Sequence, residues 1–566
     1  MLESTVHEWT HGSNAPMITY ANVVGPMLAV QLRARSSIGK WFWSLFMAVP
    51  MCIIGVLIIA LAGLLLNHAG VTGGGIFSWL FRMGFLLWLG YGCGMAIADG
   101  DLPNSASVHR RGAVVSDAKA FFKRQRPRRW GRSVKDLSDT ANPITLAGIP
   151  VASADETKHF KCIGTTGTGK STAIREMLAA ALARGDRAVI ADPDGGYLGH
   201  FYDRDRGDVI LNPFDPDAVK WNLLGEITND HDVDQLARSL IPDGGNSDNR
   251  VWSGYARTFF TAVVQQVVAA RIADDGEIYR LITKASVQEL KLLLAGTVAG
   301  PFLEEANERM FGSVRAVTAS AVGALRYTAQ QRAAPFSVRQ WIAQGAPKDG
   351  GGRGGVLFIP YKAGEIAALG SAISAWMRIA IFEAMNRPER DQRLWFVIDE
   401  LDALGAIDGL KDALARLRKF GGRCVLGFQS ISQVSSTYGK GAADTIVENC
   451  GNSLILRCSA SEQGGTSQFA SRLIGQREVV HTSLSETRRP GEPQPSTTTS
   501  EHRTIEPAVM ASEIERLPDL TGFLKLASIP DWMEVTLTHV SYPTVVRSGR
   551  TTGDRSGVGA GDGAKS

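Results

Sequence analysis

Eight consecutive residues, Gly164-Thr165-Thr166-Gly167-Thr168-Gly169-Lys170-Ser171, have the spacing G-x-x-x-x-G-K-S. Glycines at these positions let the backbone fold back and aim a row of N–H groups at phosphate oxygens. A helix beginning near Thr172 adds its positive dipole end to that cradle. Lys170 then reaches the β- and γ-phosphates, and the Ser171 hydroxyl occupies one Mg²⁺ position. A chance glycine-rich turn is the alternative. The flanks argue against it: Phe160 to Ile163 reads as a short apolar strand, and Ala173 to Ala183 as a strong helix former. The loop is a nucleoside triphosphate site.

Phosphate chemistry needs a carboxylate across the site. Leu394-Trp395-Phe396-Val397-Ile398 is an apolar strand ending in Asp399-Glu400. Asp399 suits a second Mg²⁺ anchor, and Glu400 a general base for the attacking water. Gln429 ends the next apolar run, Cys424 to Phe428, where it could sense the γ-phosphate or position water. A plain polar strand cap is the other reading. If the site lies between subunits, an arginine in trans would stabilise transition-state charge. Arg457 is the candidate, with Arg416, Arg418 and Arg423 competing. ATP and Mg²⁺ are the implied ligands.

The elements that must position these groups alternate. Arg187 to Asp192, Asp208 to Leu211, Val356 to Ile359, Leu394 to Ile398, Cys424 to Phe428 and Ser453 to Leu456 read as buried strands separated by helical stretches. That pattern predicts an α/β fold, a doubly wound parallel sheet with ligands at the strands' carboxyl ends. Strand signals vanish over 227–345, and Trp252, Tyr255, Ala256, Phe259, Phe260, Val263, Val264, Val267 and Val268 recur at helical spacing. An all-α domain inserted into the sheet domain follows, with those aromatics as core rather than base-stacking platforms. The sheet domain is thereby divided into 141–226 and 346–547. Within the second part, the Ser/Thr/Pro-rich stretch 484–504 reads as an insertion or surface loop, and the tail 548–566 as disordered.

Residues 1–40 read as a polar, irregular, cytoplasmic N-terminus. Trp41 to Leu66 then runs without a formal charge and is long enough to cross a bilayer, with Trp41 and Trp43 placed for an interfacial belt. After the glycine-rich turn at 70–75, Ile76 to Ala98 is a second apolar run, its one charge Arg82 near the turn. Residues 41–98 are thus a two-helix transmembrane hairpin, and 99–140 a basic juxtamembrane linker. Between Arg110 and Lys135, the bases Arg110, Arg111, Lys119, Lys123, Arg124, Arg126, Arg128, Arg129, Arg132 and Lys135 face one acid, Asp117, while the turn between the helices has no Lys or Arg. The positive-inside rule places both termini in the cytoplasm, with the membrane crossed twice. The basic run also suits anionic headgroups.

Bulk composition bounds the remainder. The chain has 566 residues and a net charge of +4, too small to argue for nucleic acid by itself. Six scattered cysteines contain no C-x-x-C, which excludes a metal or disulfide framework of the usual spacing.

Taken together, Thr157-Lys158-His159-Phe160, the loop Gly164 to Thr172, Asp192-Pro193-Asp194-Gly195-Gly196-Tyr197, Asn212-Pro213-Phe214-Asp215, Trp221-Asn222, Ile398-Asp399-Glu400 and Phe428-Gln429-Ser430 resemble the TraD (TrwB-like) family of conjugative coupling proteins. The order of parts is also similar. The resemblance implies a RecA-like P-loop ATPase, an inner-membrane hexamer at the base of a type IV secretion system. Such proteins recruit relaxase-bound single-stranded DNA and use ATP to drive it into the channel. The segment between the membrane helices is short for that family, and the tail lacks an acidic or helical block. Competing readings are an FtsK-like double-stranded DNA translocase, which expects a long linker and a winged-helix end not visible here, and a non-motor receptor recruiting protein substrates. A transporter ATPase of the ABC kind lacks its L-S-G-G-Q signature here.

Overall fold

The computed structural model describes residues 15–33, 38–68, 76–98, 108–118, 143–243, 247–345, 354–386, 393–461, 464–487 and 496–545. Most of the basic run beyond Ala118, the glycine-rich linker up to residue 353 and the tail from residue 546 lie outside them. The chain divides into two compact units, residues 1–110 with 478–504, and residues 111–477 with 505–566.

Among its described residues the first unit has the helices Ala15–Arg33, Ile38–His68 and Ile76–Ala98. The first corrects the reading of residues 1–40 as polar and irregular. Val23, Val24, Met27 and Val30 recur at i, i+1, i+4 and i+7 and are buried on one face, a periodicity masked by the polar residues around it. Small residues on the third helix admit this face: a Cβ at Gly90 would meet the Val23 carbonyl oxygen at 2.4 Å, and one at Gly94 the Met27 Cα at 2.9 Å. Gln31 Nε2 donates to the Gly94 carbonyl at 3.1 Å. In the second helix, the 21-residue stretch Trp41–Leu61 is apolar and long enough to cross a membrane, and only 17% of its most apolar window is buried. Phe42, Trp43, Phe46, Ile53 and Leu57 are exposed along it. Ile366–Met385 passes the same length and composition test, but 61% of its window is buried. It is a core helix of the second unit, packed on the sheet.

The second unit is built on one ten-stranded sheet. In chain order its strands are β1 Val115–Asp117, β2 Phe160–Ile163, β3 Arg187–Pro193, β4 Val209–Ile210, β5 Val356–Tyr361, β6 Leu394–Ile398, β7 Gly422–Phe428, β8 Asn452–Ile455, β9 Thr521–Lys525 and β10 Trp532–Thr536. Across the sheet they run β1-β10-β9-β8-β2-β7-β6-β3-β5-β4. From β4 to β8 all pairings are parallel; β9 pairs antiparallel with β8 and with β10. The α/β expectation holds, and β9 and β10 add an antiparallel margin to the parallel sheet. β2, β7, β6 and β3 are buried along nearly their whole length, which is why they read as unbroken apolar runs rather than alternating ones.

Between β4 and β5 the chain forms helices from Asp230–Leu240 to Val338–Gln344, and only the short strand pair Lys220–Trp221 with Pro335–Phe336 brackets them. Asn229 opens the first of these helices with a capping box: its side chain accepts from the Asp232 N–H, and Asp232 returns the bond. The long helix Ser247–Ala269 buries Phe259, Phe260, Val263, Val264 and Val267, each at most 1% exposed, as a core face should. Each of these phenylalanines contributes about 1.5–3 kcal/mol by burial. Tyr255 and Val268 at its margins are exposed.

An insertion or surface loop is the expectation for 484–504, of which 488–495 lie outside the described residues. Instead Gln476–Thr487 and Ser496–Pro507 are strands of a separate three-stranded sheet with Val108–Gly112. Threonine carries β-propensity through its branched Cβ, and composition alone hides this.

One buried histidine just before β2 makes the second unit sensitive to acid. The Cys424 N–H donates to His159 Nδ1 at 3.1 Å, so Nε2 carries the proton and donates to the Leu414 carbonyl at 2.9 Å. Burial, with Arg418 and Arg423 nearby, holds its pKa down at about 4. Because the unfolded chain takes up that proton near pH 6.5, stability is lost as pH falls from there towards 4. Between pH 7 and pH 5 the loss is about 2 kcal/mol. The unfolding midpoint measured against pH should show it, and His159→Asn should flatten that dependence.

Candidate nucleotide-binding site

The P-loop connects β2 to the helix Lys170–Ala183. Gly169, with φ 115°, is the residue just before that helix, and Gly185 in the left-handed region follows its end. Gly169 must be glycine for a second reason, since a Cβ there would lie 2.8 Å from Leu520 Cδ2. Leu520, just before β9, donates its N–H to the Thr168 carbonyl at 2.9 Å, so the antiparallel margin braces the loop. On the other side, the Thr165 N–H and hydroxyl both reach the Arg457 carbonyl, at 2.9 and 3.2 Å.

Parallel register brings the remaining groups to one edge. Ile163 pairs with Phe428, and Ile398 with Leu426, so β2, β7 and β6 end nearly level. β7 lies between the P-loop strand and the strand that ends in Asp399-Glu400. Gln429 is therefore central: Thr166 Oγ1 donates to its Oε1 at 2.8 Å, and its Nε2 donates to Glu400 Oε1 at 2.9 Å. One chain of hydrogen bonds thus runs from the phosphate loop to the candidate base. Close packing of β7 against the end of β6 demands Gly427, because a Cβ there would lie 2.2 Å from the Asp399 carbonyl oxygen.

Ser171 Oγ donates to Asp399 Oδ2 at 2.7 Å, and the Tyr197 hydroxyl donates to the same oxygen at 2.8 Å. Asp399 Oδ1 is buried and has no hydrogen-bond partner among the described residues. A buried acceptor left this way costs about 1–3 kcal/mol. A hard divalent cation beside the Ser171 hydroxyl would satisfy it, so this donor set fits Mg²⁺. Lys170 Nζ donates to the Gly164 and Thr165 carbonyls, at 2.7 and 3.2 Å. Burial lowers its pKa, opposed by the charges of Asp399 and Glu400. Glu400 has its pKa raised by burial, and by Asp399 and Asp402. These groups line a cleft of about 590 Å³ with Arg175, Asp194, Asp519 and His539.

Every sequence-predicted residue from Gly164 to Thr172, with Asp399, Glu400 and Gln429, falls at this one edge. The arginines separate. Arg423 is 7% exposed and bonded to Glu156 and the Gly421 carbonyl, in an ion network with Arg184 and Asp186 around the amino end of β7. Burial there removes it as a candidate for reaching a neighbour. Arg416 and Arg418 are exposed. Arg457 Nη2 pairs with Asp519 at 2.6 Å and Nη1 donates to the Leu517 carbonyl at 3.2 Å, so a role in trans would require it to leave Asp519.

Sequence reasoning assigned no role to Asp192 or Tyr197. Asp192, at the end of β3, accepts the Tyr197 and Leu198 N–H groups at 3.0 and 2.7 Å. Burial pushes its pKa up to about 7, against the pull of those two bonds. The signal was present as an Asp at a strand end followed by Gly-Gly-Tyr.

Known proteins resemble the chain over the same region. A family model for the type IV secretion-system coupling protein DNA-binding domain matches residues 143–538. The coupling protein TraD of Escherichia coli (strain K12) is 30% identical over 414 residues, which is 73% of this chain and 56% of that protein. The chain thus aligns with little more than half the length of this relative. Among solved structures, the bacterial conjugative coupling protein TrwBΔN70 superposes with a TM-score of 0.67 at 29% identity, covering 78% of this chain and 96% of that one. Plasmid coupling protein TrwB in complex with ADP and Mg²⁺ superposes with a TM-score of 0.65, at 29% identity and covering 78% and 95%. Its complex with the ATP analogue ADPNP gives 0.66 at the same identity, covering 78% and 96%. A RecA-like sheet with this P-loop, matched over so much of its length, assigns the family: the chain belongs to the TraD/TrwB-like coupling proteins of type IV secretion systems.

Proposed function

We propose that the chain is a membrane-anchored ATPase that recruits relaxase-bound single-stranded DNA and drives it into a type IV secretion channel. The observation carrying the ATPase reading is the 2.7 Å bond between Ser171, in the first turn of the helix after the phosphate loop, and Asp399, just past the end of β6. In this reading the loop N–H groups and Lys170 bind the β- and γ-phosphates of ATP. Mg²⁺ held by Ser171 and Asp399 supplies charge neutralisation on those phosphates. Glu400 takes the proton of the attacking water, a role favoured by the burial that raises its pKa. Gln429 fixes Glu400 and ties it to Thr166, so that occupancy of the loop is felt at the base. Arg457 acts in trans if the chain closes into the homo-hexamer that its relatives' resemblance implies. The exposed apolar helix Ile38–His68, with Ile76–Ala98 beside it, supports a multi-pass anchor in the inner membrane with the ATPase in the cytoplasm. The DNA cargo, the relaxase and the channel components rest on family likeness.

ATP turnover by the detergent-solubilised full chain, with and without single-stranded DNA, tests the motor. Turnover should rise severalfold with DNA under oligomer-forming conditions. A flat response would favour a receptor for protein substrates, and stimulation by duplex DNA alone would favour an FtsK-like pump.

A further inference from the structure

We infer that Tyr197 is a positioning residue for the metal-binding carboxylate Asp399, resting on the ATP-site reading above. Tyr197 is 1% exposed, and its hydroxyl donates to Asp399 Oδ2 at 2.8 Å. Ser171 donates to the same oxygen. Two donors on Oδ2 fix the carboxylate's rotation and leave Oδ1 as the free acceptor. Burial, together with the Asp399 charge, raises the Tyr197 pKa well above its ordinary value. The phenol hydroxyl is the donor in the bond to Asp399. Its opposite end is held as firmly. Asp192 accepts the backbone N–H groups of Tyr197 and Leu198, and the Arg175 guanidinium lies 5.7 Å from the ring centroid. The result is a path from the end of β3 through Tyr197 to the end of β6, strands that also pair in the ladder. Phosphate contact is not part of this role. What Tyr197 sets is the direction in which Asp399 offers its free oxygen to a cation, and ligand-orienting partners of this kind are worth about 10- to 100-fold in metal affinity.

The test uses the detergent-solubilised full chain and a fluorescent non-hydrolysable ATP analogue, titrated with Mg²⁺. Tyr197→Phe should leave analogue binding without metal within about twofold of wild type and raise the half-saturating Mg²⁺ concentration about tenfold. A merely structural role for the ring would alter both or neither. Asp192→Asn, which weakens the support of Tyr197 without removing a hydrogen bond to Asp399, should shift the Mg²⁺ half-point in the same direction and by less. It also decides the matter should the phenylalanine variant fail to fold. A Tyr197→Phe or, in its absence, an Asp192→Asn half-point equal to wild type would overturn this inference while leaving the ATP site intact. Wild-type binding that ignores Mg²⁺ altogether would overturn the ATP-site reading and this inference with it.

Discussion

Lys170→Ala is expected to abolish measurable ATP turnover, lowering it by on the order of 10²- to 10³-fold, the scale for deleting one preorganised electrostatic partner of a transition state. In the structure the ammonium rests on the Gly164 and Thr165 carbonyls, within the loop that would receive phosphate. Its pKa is depressed by burial, so the buried charge has reason to exchange those carbonyls for an anionic ligand. The loss should be confined to chemistry and phosphate binding. Thr165 O keeps the Thr168 hydroxyl at 2.7 Å, and the loop keeps its braces at Arg457 and Leu520. The cost to stability should therefore be about 1 kcal/mol, that of one lost hydrogen bond. Turnover, analogue binding and the unfolding midpoint measured on one preparation separate these effects. Conjugative transfer at wild-type frequency in cells carrying only the alanine variant would sink the motor reading.

Glu400→Gln should have a different signature: nucleotide still binds, and turnover falls about 10²- to 10⁴-fold, the range for loss of a general base. An amide is nearly isosteric with the carboxyl and can still accept from Gln429 Nε2, so the chain from Thr166 to residue 400 survives. Only the proton acceptor is removed. The pH profile provides a second check. Wild-type activity needs Glu400 ionised, and burial raises its pKa. The acid limb of kcat/KM should therefore lie above the usual carboxylate range, with activity falling as pH drops through it. Full turnover in the glutamine variant would transfer the base role elsewhere, and Asp399 is already committed to two hydroxyls.

Physical chemistry explains which features are legible in the sequence. The P-loop depends on glycines at fixed intervals, one of them at φ 115° and pressed against Leu520, so its sequence is a direct record of its shape. β2, β3, β6 and β7 are buried on both faces, and Asp192, Asp399 and Gln429 mark the carboxyl edge at the ends of the last three. The face of the helix Ser247–Ala269 was readable from its period alone.

Other features required neighbours. The helix Ala15–Arg33 owes its place to a buried face against Gly90 and Gly94, residues more than sixty positions away. Arg423 was an equal candidate with Arg457 until the fold paired it with Glu156 in a buried network.

The sequence by itself determined the phosphate loop, the strand that presents Asp399 and Glu400, the inserted helices and the apolar segment at 41–66. Each follows from local spacing, period or length. Tertiary structure alone decided that β7 lies between the loop and the acids, which makes Gln429 a link rather than a strand cap. It also decided that Tyr197 reaches Asp399 across two hundred residues of chain. Strand order is a choice among crossovers that local periodicity does not distinguish, and the meeting of two side chains depends on that choice.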